Sequence, residues 1–122
     1  MDFREELPIY LQIADYVCER ILLKNWEPGD RVPSVRELAV ELAVNPNTVM
    51  RTYELLQEQD IVYNQRGVGL FVSTSGMKNA REYRRMQFMK KELPGFFKSM
   101  TLLQISVDEL EELLKQYKKL KN

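Results

Sequence analysis

Asn47, Thr48 and Arg51 are the residues whose types and spacing suit recognition chemistry. On a helix, Arg51 follows Asn47 by four residues and Thr48 by three, so an amide, a hydroxyl and a guanidinium share one face. Such a set on the exposed leading turn of a helix is the equipment for reading base edges in the major groove of DNA. A second candidate is Arg66, beside Gly67-Val68-Gly69. Glycines there let backbone approach a phosphate closely, and an arginine at such a tip suits a narrow minor groove. Catalysis has no comparable support. The chain has no histidine, so nucleophile–histidine arrangements are absent. The glycines at 67 and 69 lack the lysine and the strand-loop-helix order of a phosphate loop. With one cysteine and no histidine, a disulfide framework within the chain and a zinc site of the usual spacing are both excluded. No cofactor and no metal are expected, and the chain does not read as an enzyme.

The elements that must position these residues are legible in Pro33 to Glu58. Ser34 with Glu37 forms a capping box, and Val35, Leu38, Ala39 and Leu42 follow at helical spacing. Ala43-Val44-Asn45 makes a turn. Asn45 is a good N-cap and Pro46 suits the first helical position, where a missing N–H costs nothing. The second helix is expected to bury Val49, Leu55 and Leu56, with Tyr53 in the core. Before this pair, residues 1–7 read as a leader. Pro8 opens a helix with Ile9, Ile13, Tyr16, Val17, Arg20, Ile21 and Leu23 on a broad buried face, Trp26 covers its end, and Arg31-Val32 forms a short strand. After the pair, Ile61 to Tyr63 and Leu70 to Val72 read as strands around a tip at 64–69.

P-S-V-R-E-L-A, then N-P-N-T-V-x-R-x-Y-x-x-L, then G-x-G-x-F-V resembles the winged helix-turn-helix of GntR transcription regulators. The short C-terminal part is similar to the YtrA-like subfamily. The resemblance covers Leu7 to Val72 closely and the remainder loosely. It implies that Arg36 holds a phosphate or a base, that Asn45 and Thr48 contact phosphate, that Asn47 and Arg51 face base edges, and that Arg66 and Gly67 serve the wing. Pro46 and Met50 stand where other branches place arginines, so those branches' operators do not transfer. The fold expected is mainly α with a small β-wing: a winged helix-turn-helix over 1–73 and a helical dimerisation segment over 74–122.

Charge complicates this reading. Lys/Arg and Asp/Glu balance at 18 each. Residues 1–73 hold 7 basic against 12 acidic residues, net −5, and residues 74–122 hold 11 against 6, net +5. Phosphate attraction must therefore be local, aided by the basic segment after the wing. The acidic half also fits a rival reading, a winged helix used as a protein-interaction module without specific DNA binding. Residues 78–92 read as a helix that Pro94-Gly95 kinks or ends. Phe96, Phe97, Met100, Leu102 and Leu103 form a second helical piece. Ser106 and Glu109 start a third as a capping box, and Leu110, Leu113, Leu114, Tyr117 and Leu120 stripe one of its faces. So few residues do not easily make an independent core, and a second copy of the chain is the simplest cover. The partners expected are double-stranded operator DNA and a second copy through the C-terminal helices, with no membrane and an unknown small-molecule effector. No apolar run approaches the roughly 18 residues of a membrane span, and the charged start is unlike a signal peptide. A cytoplasmic homodimeric repressor acting on a pseudo-palindromic operator is the reading that unites these features.

Overall fold

A computed structural model describes residues 7–121; of the leader expected at 1–7, only Leu7 falls within them. The chain divides into two compact units, up to Arg85 and from Met86. The boundary lies beyond Ser73, where the sequence places it.

The first unit is mainly helical with a small antiparallel hairpin. Helix α1 spans Ile9–Leu22, α2 Val35–Leu42 and α3 Pro46–Glu58. Strands β1 (Val62–Gln65) and β2 (Gly69–Val72) pair in the register Val62 to Val72 and Gln65 to Gly69. The sheet has two strands, and the Arg31-Val32 segment expected as a strand lies beside it as an isolated bridge. Arg31 bridges Phe71, and the Val32 N–H donates to the Leu70 carbonyl at 2.9 Å. The core combines Ile13, Val17 and Ile21 of α1 with Leu38, Val49, Tyr53, Leu56, Ile61, Val62 and Val72. Ile9 and Leu23, at the ends of α1, are 46% and 58% exposed and stay outside it, because a helix touches its neighbours along its middle turns. Trp26 packs against the core from the turn after α1.

Two caps fix the helical pair. The Glu37 N–H donates to Ser34 Oγ at 3.1 Å and the Ser34 N–H to Glu37 Oε1 at 2.9 Å, completing the capping box. The Asn47 N–H donates to Asn45 Oδ1 at 2.8 Å, with Pro46 at the first helical position. On α3 the buried residues are Val49, Thr52, Tyr53 and Leu56, while Leu55 is only half-buried. Tyr53 donates its hydroxyl to the Pro33 carbonyl at 2.6 Å. That bond ties α3 to the start of α2 and gives a core tyrosine the partner its polar end requires.

Helix α4 (Gly76–Gln87) explains the late boundary. A Cβ on Gly76 would stand 2.7 Å from Val72 Cγ1 and 2.8 Å from the Ile61 carbonyl oxygen, so only glycine allows this approach. Ala80 is fully buried. Asn79 donates its amide to the Asp60 carbonyl at 2.9 Å, and Arg84 pairs with Asp15 of α1 at 3.1 Å.

Burial sets the alkaline limit of this unit. Cys18 is fully buried, and desolvation foremost, then the Asp15 charge, pushes its thiol up to about 12. Above pH 9 the unfolded chain gives up this proton while the folded chain keeps it. The unfolded state then binds fewer protons, so stability falls by about 1.4 kcal/mol per pH unit between pH 9 and 12. Burial likewise pushes Tyr83 up to about 12, adding a second loss above pH 10. Urea unfolding at pH 8, 9 and 10 is expected to show the decline, and Cys18→Ala to flatten it between 9 and 10. An unchanged slope in that variant would remove Cys18 as its source.

The second unit holds a π-helical turn Phe88–Glu92, then α5 (Leu93–Leu102) and α6 (Val107–Lys121). The Leu93 N–H donates to the Phe88 carbonyl, one residue further back than in an α-helix. The widened turn sits just before Pro94, whose ring would clash with the carbonyl four residues back and which has no N–H to give. Here the proline distorts the helical path without ending it. Ser106 Oγ accepts from the Glu109 N–H at 3.0 Å to start α6. Leu93, Met100, Ile105 and Leu110 are half-buried, and no described residue of this unit is fully buried. No helix of the described residues is long and apolar enough to cross a membrane.

Candidate nucleic-acid interface

The leading turn of α3 opens onto a cleft of about 440 Å³ lined by Asn45, Asn47, Thr48 and Arg51, with Pro8, Ile9 and Tyr10 from the start of α1. Four residues singled out from sequence thus meet at one site. Asn45 and Asn47 are exposed and Thr48 is half-buried. The cap bond commits the Asn45 oxygen, which leaves its NH₂ as the free donor. It also occupies the Asn47 N–H, and Pro46 has none. The usual anion site of a helix N-terminus, built from free backbone N–H groups, is largely closed here. Contacts to an anion must come from side chains.

Arg51 is exposed, and its guanidinium carbon lies 3.8 Å from the centroid of the Tyr10 ring. Thr52, the next residue, is completely buried. Its hydroxyl lies 2.7 Å from the Tyr10 carbonyl and 3.2 Å from the Thr48 carbonyl, binding α3 to α1 beneath the cleft.

Arg36 sits exposed on the first turn of α2, outside the residues that line the cleft. Arg66 and Gly67 form the hairpin tip. The Val68 N–H donates to the Gln65 carbonyl at 2.9 Å, and Gly67 has φ +78°, a conformation that favours glycine. Arg66 is exposed there. Nearby, Tyr63 stacks on Phe71 with centroids 5.7 Å apart. The Arg31 side chain crosses the hairpin so closely that a Cβ on Gly69 would stand 2.8 Å from its Nε.

The sequence reading missed the α1 contribution, Tyr10 above all. The P-I-Y start looked like a helix opening onto core. The signal that locates it is Thr52, a polar residue on a buried helix face that must find a partner across the helix pair.

Residues 9–72 match the model of the gntR family of bacterial regulatory proteins. The chain is similar to the HTH-type transcriptional regulator YhcF of Bacillus subtilis, with 37% identity over 94% of this chain and 93% of that one. It is also similar to the transcriptional repressor YtrA of Bacillus subtilis, with 33% identity over 95% and 88% of the two chains. A crystal structure of a GntR-family transcriptional regulator from Bacteroides thetaiotaomicron superposes with a TM-score of 0.73. It shares 44% identity and covers 94% of this chain and 100% of that one.

Proposed function

Because this chain belongs to the gntR family of bacterial regulatory proteins and is a DNA-binding transcriptional regulator rather than an enzyme, we propose that it is a cytoplasmic repressor that binds a pseudo-palindromic operator as a homodimer. The observation that carries this reading is the cleft at the head of α3, where Asn45, Asn47, Thr48 and Arg51 stand together. In it, Asn47 and Arg51 read base edges while Asn45 and Thr48 hold phosphate through side-chain donors. Arg36 supplies a further contact from the head of α2. The similarity to YtrA, a transcriptional repressor, supports repression.

The second unit supports dimerisation. Leu113, Leu114, Tyr117 and Leu120 of α6 are 49–86% exposed. Leu102, Leu103 and Val107 around the α5–α6 turn are about 70% exposed. A row of this kind on so small a unit marks an interaction surface. A second copy supplies a matching apolar face and sets two reading heads on one duplex. Selection of bound fragments from random duplex DNA by the full-length protein tests the whole reading. Recovery of a two-fold repeated motif is expected, and recovery of no motif would overturn it.

At the wing, Arg66 is expected to enter the minor groove flanking each half-site. Arg66→Ala should therefore weaken binding most where the flanks are A·T-rich, because a narrow groove concentrates negative potential. Titrations against operators that differ only in their flanks check this. A loss independent of flank composition would place Arg66 on phosphate.

A further inference from the structure

We propose that Tyr10 is a positioning residue for base reading, its ring holding the Arg51 guanidinium in the plane from which it meets DNA. The inference deepens the role given to Arg51 above and rests on it. Arg51 projects from an exposed helical position, and a long arginine side chain loses considerable rotamer freedom when fixed. Stacking on a ring that is already in place removes part of that loss before DNA arrives. The guanidinium carbon is 3.8 Å from the Tyr10 centroid, well inside the range of cation–π attraction. Arg20 over Tyr16, at 5.4 Å, is a looser pair.

The ring does not drift independently of α3. Thr52, adjacent to Arg51 and fully buried, bonds the Tyr10 carbonyl at 2.7 Å. Ring and guanidinium are thus carried by backbones that are locked together. A guanidinium lying flat on a ring at this distance is covered on one face only. Its N–H donors radiate in the plane, at the edge, so they remain free for the acceptors of a base. Tyr10 also lines the same cleft as Asn45, Asn47 and Thr48. A nucleotide entering that cleft meets Arg51 in its stacked orientation. The ring supplies this effect and the hydroxyl does not, so phenylalanine preserves it and an aliphatic side chain does not.

The test uses the full-length chain and the duplex recovered by selection, together with its single-base-pair variants. Affinity ratios between duplexes are compared for the wild type, Arg51→Ala, Tyr10→Leu, Tyr10→Phe and Tyr10→Leu combined with Arg51→Ala. Tyr10→Met replaces Tyr10→Leu should the latter fail to fold by circular dichroism. Arg51→Ala and Tyr10→Leu are expected to lose preference at the same base pair, Tyr10→Leu by about 2- to 30-fold. Tyr10→Phe should keep the preference, and the double variant should discriminate no worse than Arg51→Ala alone. If Tyr10→Leu keeps the preference that Arg51→Ala loses, positioning is wrong while base reading stands. Equal weakening of Tyr10→Leu on every duplex would likewise overturn it, since a phosphate contact or a loosened α1 acts without regard to sequence. If Arg51→Ala keeps every preference with Tyr10 intact, base reading itself fails and the positioning role fails with it.

Discussion

A chain ending at Arg85 is expected to fold, to sediment as a monomer, and to bind the selected operator about 10²–10⁴-fold more weakly than the full chain. The size of the loss comes from geometry. Two linked heads make the second half-site contact intramolecular, and separating them forfeits that effective concentration without removing a single contact. The choice of end point comes from packing. Cutting after Ser75 would remove Gly76, the buried Ala80, the Asn79 bond to Asp60 and the Arg84 pair with Asp15. That shorter chain is expected to be less stable, so a loss of binding by it would confuse unfolding with monomerisation. Sedimentation, thermal melting and operator titration of both truncations and the full chain separate the two effects. A stable Arg85 chain that binds as tightly as the full chain would overturn the dimer mechanism.

Arg51→Ala is expected to weaken operator binding by about 1–3 kcal/mol per half-site and to relax preference at one base pair in each. Arg51 leaves no buried partner behind when removed, because it is exposed and lies on a ring face. The fold should therefore survive, and the whole change should appear in DNA titrations. Uniform weakening across single-base variants would reassign Arg51 to the DNA backbone.

What could be read from sequence was what is short-range. The Ser34–Glu37 box, the Asn45-Pro46 start and the hairpin are each encoded within a few residues; the two caps lie where their patterns placed them, and the hairpin does too, with its strands running on through Asn64, Gln65 and Gly69 of the expected tip. The four α3-side residues of the cleft follow from the same local logic, because a helix start fixes which side chains share its first turns. The floor of the cleft did not follow. Tyr10 and Thr52 lie 42 residues apart, and their bond reflects how α1 and α3 cross, which no local pattern states. The end of the first unit was hidden for a different reason. Gly76 and Ala80 are buried because they are small, and small residues leave little trace in a hydrophobicity pattern. The π turn before Pro94 lay between the two readings allowed there, since a proline announces a disturbance without specifying its form.

Placing the start of α4 in the first unit brings Lys78, Arg81, Arg84 and Arg85 with it. Residues 1–85 then hold 11 Lys/Arg against 13 Asp/Glu, a net charge of −2 where the stretch ending at Ser73 has −5. A reading unit this near to neutral gains little from the polyanion as such, the sequence-independent attraction that holds most regulators on bulk chromosomal DNA. Fewer copies are then sequestered on the vast excess of wrong sites, and occupancy of the operator depends on the ratio between right and wrong sites as much as on affinity.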